Sequence, residues 1–152
     1  MRGAPLVSVM LRTPQADDLP LLGEWNAALI RDESHDNPMT SIELIKRMRE
    51  WLASEYRARI FVCDGIDVGY ALYRVLPEFT HLRQFYVVSE RRRRGIGTAA
   101  LHALGRLEFP VGKRVIVEAM VGNEGALSFW RASGFADRYV GLESSPASRV
   151  GQ

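Results

Sequence analysis

The sequence predicts a mixed α/β fold, a sheet flanked by helices, and three observations predict it. Apolar residues recur at helical spacing in the first third of the chain. Short β-branched and aromatic runs, bounded by Gly, Pro and Asp, occupy the middle. The last third alternates the two periods, as a crossover between sheet strands requires. The order read from the chain is strand, helix, helix, three strands, helix, strand, helix, strand.

Val7 to Arg12 is a short apolar run and reads as the first strand, stopped by Thr13-Pro14 because the residue before proline is driven to extended geometry. Asp17 and Asp18 precede a helical stripe of Leu19, Leu22, Trp25, Leu29 and Ile30, with acids suited to the positive end of the helix dipole. Thr40 or Ser41 caps a second helix with the apolar face Ile42, Ile45, Met48, Trp51 and Leu52. Arg59 to Cys63 and Val68 to Leu76 read as a hairpin about Asp64-Gly65, and Leu82 to Val88 as the next strand. A helix spans about Gly97 to Leu107. Val115 to Met120 is a β-branched run too short for a helix. Ala126 to Ala132 is a short helix stopped at Gly134, and Phe135 to Leu142 closes the list as a last strand.

Composition narrows the function classes. The chain has 152 residues, 47% hydrophobic and 25% charged. That length suits one domain over residues 1–152, able to bury about 68–70% of its unfolded surface, with a polar tail from Ser144 onward. No apolar run is long enough to span a bilayer, and the N-terminus lacks a secretory apolar core, so the expectation is a cytoplasmic protein without a membrane partner. A single cysteine, Cys63, excludes an internal disulfide and reads as a small buried residue. His35, His81 and His102 show no ligand spacing, so no metal is expected. Trp25, Trp51 and Phe61 read as core. The net charge of +2 gives no general affinity for nucleic acid, and the run Arg91 to Arg94 is bracketed by Glu90 and Glu108, so no nucleic-acid partner is expected.

The segment Phe85 to Leu101, F-Y-V-V-S-E-R-R-R-R-G-I-G-T-A-A-L, carries the chemistry. A buried strand runs into a polar turn, then into glycines at a helix start, where the backbone can approach a ligand closely. The first N–H groups of a helix lack intrahelical partners, and with the dipole and adjacent arginines they suit a phosphate. Arg92-Arg93-Arg94-Gly95-Ile96-Gly97 resembles the R/Q-x-x-G-x-G/A motif of the GCN5-related N-acetyltransferases. The preceding F-Y-V-V is similar to that family's fourth strand, and N-E-G-A-L-S-F-W-R-A-S-G-F to its later Asn-x-x-Ala segment.

The resemblance implies the family fold, in which a mixed central sheet with splayed fourth and fifth strands is flanked by about four helices. It also implies acetyl-coenzyme A as co-substrate and transfer of its acetyl group to a primary amine of an acceptor, by direct attack in a ternary complex. Backbone amides from Arg92, Arg93, Arg94, Gly95, Ile96 and Gly97, with Thr98, would cradle the pyrophosphate. The backbone of Phe85, Tyr86 and Val87 would pair with the pantetheine arm, and the amide of Val87 or Val88 would face the thioester carbonyl. Asn123 matches the family residue that bonds the coenzyme arm, although Asn is equally a helix cap. Trp130 stands where the family has a tyrosine that protonates the leaving thiolate. Tyr139, Ser128 or water would have to serve instead, and Tyr139 is the candidate acid.

The fourth strand offers no carboxylate: Arg83 or Gln84 occupies the place of the usual acid, which leaves Glu118 as the candidate base, expected to meet a cavity or an arginine such as Arg83. The connector with Asp32, Glu33, His35, Asp36 and Asn37 is dense in polar groups. It is the candidate acceptor site, with His35, Asp36 and Asn37 as substrate-binding residues, or else a solvated loop. A homodimer is open on the same resemblance. The departures at Trp130 and the fourth strand leave a catalytically silent acyl-coenzyme A-binding domain as the alternative.

Overall fold

In the computed structural model, which describes residues 7–33, 36–146 and 150–151, five strands form one sheet in chain order. They are β1 (Met10–Arg12), β2 (Arg57–Cys63), β3 (Ile66–Val75), β4 (Phe79–Val87) and β5 (Arg114–Val117). The first four pair antiparallel. Asp64 and Gly65 join β2 to β3 with φ of 52° and 76°, the positive pair that a tight hairpin turn requires. β4 and β5 are parallel, so a crossover must separate them, and a helix supplies it.

The helices are α1 (Leu19–Asp32), α2 (Ser41–Leu52), α3 (Ile96–Leu107) and α4 (Glu124–Ala132). Each has a local cause. Pro20 lies in the first turn of α1, where its missing N–H is harmless. Thr40 and Glu43 form a reciprocal capping box on α2. Asn123 caps α4 by accepting from the Ala126 N–H at 3.1 Å. At the other end of α4, Gly134 takes φ 97° and the Phe135 N–H returns to the Trp130 carbonyl at 3.0 Å.

The sheet has a core on each face. Leu22 and Trp25 of α1 and Met48 of α2 pack on Ile60, Tyr70 and Leu72. On the other face Ile96, Ala100 and Leu104 of α3 and Trp130 of α4 pack on Phe61, Val68, Tyr73 and Leu82. Trp25, Phe61 and Cys63 are buried, and Trp51 is half-buried against the first core. Gly69 is sterically obligatory, because a Cβ there would lie 2.0 Å from the Tyr86 carbonyl oxygen.

The structure corrects several expectations. Phe135 to Leu142 is not a strand. Arg131 holds Asp137 with two bonds of 2.9 and 2.8 Å, keeping the segment beside α4. Val140 and Leu142 stay exposed, so no buried row favours pairing with β5. Val7 to Val9 precede rather than join β1, β4 begins three residues before Leu82, and β5 ends at Val117, one residue short of Glu118. Asp32 belongs to α1, not to the connector.

Candidate active site

β4 and β5 pair from Phe79 opposite Arg114 to Leu82 opposite Val117, and then part, because β5 ends while β4 continues to Val87. Among the described residues, the five after Leu82 therefore have no strand paired on that side. Antiparallel pairing alternates the direction of the backbone groups. The Val88 N–H bonds the Val68 carbonyl at 2.9 Å, facing β3, so the N–H groups of Val87 and Phe85 face the open edge. Arg92 agrees with this geometry: its Nε donates to the Val87 carbonyl at 2.8 Å from the open side. Of the two amides expected to face a thioester, that of Val88 is already committed to the sheet.

A bulge shapes the same strand. Tyr73 lies opposite Leu82 but Leu72 opposite Gln84, so Arg83 is the extra residue. A regular strand would send Gln84 to the α3 face. The bulge puts Arg83 and Gln84 together on the α1/α2 face, where Gln84 accepts a 2.6 Å bond from Tyr70 and the Arg83 guanidinium lies 4.9 Å from the Trp51 ring centroid. Burial holds the Tyr70 phenol well above its ordinary pKa, so it donates as a neutral hydroxyl. Phe85 and Val87 turn to the α3 face, and Tyr86 to the α1/α2 core.

Beyond β4 the chain turns into α3. Arg93 has φ 62° and Gly95 φ 80°, so this turn uses the left-handed region twice. The first bond of α3 runs from the Ala99 N–H to the Gly95 carbonyl at 3.0 Å. Among the described residues the N–H groups of Gly95, Ile96, Gly97 and Thr98 meet no acceptor, as a helix start leaves them. Ile96 is buried and Thr98 exposed. A Cβ on Gly97 would sit 3.2 Å from the Phe129 ring, so the glycine lets α4 close on this turn. Arg93 and Arg94 are exposed and Arg91 half-buried. Arg92 instead reaches Asp32 at 2.5 Å and lies 5.3 Å from the Tyr86 ring centroid. Asp32 is thereby paired with Arg92.

At the apex where β4 and β5 part, Glu118 bonds His81 Nε2 at 2.8 Å. Glu118 is 80% exposed as a side chain, so it escapes the burial penalty expected for it, and its partner is His81 rather than Arg83. His81 Nδ1 lies 3.5 Å from the Tyr56 hydroxyl, which accepts from Arg83 at 3.3 Å. Tyr139 joins His81, Glu118, Arg74, Phe79 and Ile116 around one cleft. Hydrogen bonding to Arg138, then Arg114, lowers the Tyr139 phenol pKa below its ordinary value. His81 is the residue that sequence reasoning missed. Only the parallel register, His81 opposite Ile116, brings it beside Glu118.

The other expected residues fall as follows. Asn123 spends its side-chain oxygen on the α4 cap. Trp130 is 9% exposed and packs its ring against Phe85, Phe129 and Phe135 at 5.2, 4.9 and 5.1 Å between centroids. Asn37 accepts from the Met39 N–H at 2.9 Å as a local turn, and Asp36 is exposed. His35 lies outside the described residues. Among the described residues no group of three or more His, Cys, Asp or Glu could hold a metal ion, and no helix is long and apolar enough to cross a membrane.

A strand parted from its neighbour, leading into a helix start with free amides, is the geometry that comparison with known proteins can place. The profile of the acetyltransferase (GNAT) family matches residues 24–135. The chain belongs to the GNAT acetyltransferase family. An acetyltransferase from Thermus thermophilus shares its fold with a TM-score of 0.71 at 22% identity, over 89% of this chain and 90% of that one. Aminoglycoside N-acetyltransferase AAC(6')-Iy, solved in complex with CoA, has a TM-score of 0.71 at 15% identity over 97% and 98%. A possible acetyltransferase from Clostridium difficile 630 has a TM-score of 0.69 at 18% identity over 93% and 99%. No match was found among curated proteins.

Proposed function

We propose that this GNAT domain is an acetyl-coenzyme A-dependent N-acetyltransferase, transferring the acetyl group to a primary amine by direct attack in a ternary complex. The observation that carries the proposal is two groups of backbone donors unspent among the described residues, one on the open edge at Phe85 and Val87 and one at Gly95–Thr98. The residues present fit the co-substrate. Four free N–H groups and the helix dipole suit a pyrophosphate, and Arg93 and Arg94 add exposed positive charge. Acetyl-coenzyme A, when bound, supplies the activated thioester carbonyl.

The chain's own groups do the rest. With the phosphates held at Gly95, the open-edge amide nearest the apex is that of Phe85, with Val87 next toward the phosphates. The Phe85 N–H donates to the oxygen that gains charge, a contact worth roughly 3–4 kcal/mol in acyl-transfer sites. An acceptor amine of ordinary pKa is neutral in about one molecule in 2,500 at pH 7, so its proton must be removed. His81 takes that proton at Nδ1 by way of the Tyr56 hydroxyl, which passes its own proton to the ring as it receives the amine's, while Glu118 accepts from Nε2–H and orients the ring. Tyr139, its pKa lowered by two arginines, returns a proton to the departing thiolate from the rim of the same cleft.

A second reading, a silent acyl-coenzyme A binder, is favoured by one observation: Trp130 stands at the tyrosine position and is packed into the aromatic core. Calorimetry with acetyl-coenzyme A, followed by thiol release over a panel of amines, separates the readings. Binding with turnover supports the enzyme. Binding without turnover on any amine supports the silent domain, and no binding at sub-millimolar concentration overturns both.

A further inference from the structure

On the α1/α2 face, beside the apex, two arginines share one aromatic ring. Arg47 of α2 and Arg83 of the β4 bulge place their guanidinium carbons 4.3 and 4.9 Å from the Trp51 ring centroid. Neither forms an ion pair among the described residues, whereas Arg12, Arg59, Arg74, Arg92 and Arg131 all do. Arg47 is not a solvated surface charge. Its Nε is buried without a partner, and its Nη2 donates to Asn26 Oδ1 at 3.1 Å. Asn26 is 0% exposed, and its Nδ2 is likewise buried without an acceptor. Desolvation first, and the charge of Arg83 second, lower the Arg47 pKa. Half-buried positive charge, facing like charge with unspent donors, is destabilising until an anion arrives.

The placement identifies what the anion belongs to. Arg83 lies two residues from Phe85, about 7 Å along a strand. A group held by Arg83 and Arg47 is thus within one small molecule's length of the proposed acyl-transfer point. We infer that Arg47 and Arg83 form a carboxylate-binding subsite, and that the acceptor is a small amine of amino-acid size carrying a carboxylate rather than a polyamine or aminoglycoside. Planar guanidiniums bind a carboxylate through paired, charge-assisted bonds, and the buried, unpartnered Arg47 Nε and Asn26 Nδ2 behind them leave the Arg47 charge uncompensated from the protein side.

The inference rests on the N-acetyltransferase reading for the acceptor's role, so its test has two parts. In the first, thiol release is measured for amino acids from glycine to 4-aminobutyrate, each beside its carboxamide, corrected for the neutral-amine fraction. The carboxylate members are expected to win by about tenfold or more in kcat/KM, and R83Q and R47Q to collapse that ratio. A wild-type ratio near one, or a ratio that neither variant changes, overturns the subsite. The second part needs no turnover. N-acetylglycine and its amide are titrated into the protein while the Trp51 indole resonance is followed by NMR. Saturable binding of the carboxylate alone, lost in R83Q, supports the subsite, and equal or absent responses overturn it. If acetyl-coenzyme A fails to bind in calorimetry, the enzymatic reading falls while this titration still decides the subsite.

Discussion

The two sides of β4 are built from different materials. Toward α3 the donors are main-chain N–H groups, fixed by glycine dihedrals and by where β5 ends. Toward α1 and α2 they are side chains from Asn26, Arg47, Tyr56 and His81, gathered from separate parts of the chain, with Arg83 turned among them by one bulge. Main-chain donors are indifferent to sequence and suit a co-substrate common to many chains. Side-chain donors can be exchanged one at a time and suit an acceptor peculiar to this one.

That contrast can be broken at either side. The largest effect is expected at His81: H81A should lower kcat by about 10²–10⁴-fold with the acetyl-coenzyme A affinity intact. E118Q should lower it less, since it removes only the orienting charge. Steady-state kinetics beside calorimetry reads both, and a loss confined to coenzyme affinity would move His81 out of the proton path. Next, G95V should weaken acetyl-coenzyme A binding by at least about a hundredfold, because a β-branched residue resists φ 80° and the amides must then turn. Circular dichroism should show the fold retained.

Smaller effects concern the scaffold. G69A should destabilise the protein by about 1–3 kcal/mol in denaturant unfolding, since the new methyl must displace the Tyr86 carbonyl at 2.0 Å. N123A should cost about 0.5–2 kcal/mol through loss of the α4 cap, while N123D keeps it. If N123D nevertheless weakens coenzyme affinity, Asn123 has a second duty beyond the cap.

What the sequence made legible follows the same division. The turn from Val88 to Thr98 could be read because its cause is local: consecutive residues set the dihedrals and the free amides together. The Asp64-Gly65 hairpin and the Gly134 stop were legible for the same reason. The His81–Glu118 pair was not, because 37 residues separate its members and only the parallel register joins them. Glu118 can be named from the composition of the strand, with a cavity or an arginine such as Arg83 expected beside it; it does line a cleft, but the side chain it bonds is His81. The bulge carries no mark in L-R-Q-F, so nothing announced that Arg83 and Gln84 share a face. The last strand failed for a further reason: Phe135 to Leu142 has a strand's composition, yet Arg131 and Asp137 tie it to α4.

Amide hydrogen exchange with and without coenzyme A bears most directly on the coenzyme site. Protection should rise at Phe85, Val87 and the run Gly95–Thr98, and stay level at Val88, whose N–H already bonds Val68. Unchanged exchange at Gly95–Thr98 under saturating coenzyme would contradict a binding site made of these backbone donors.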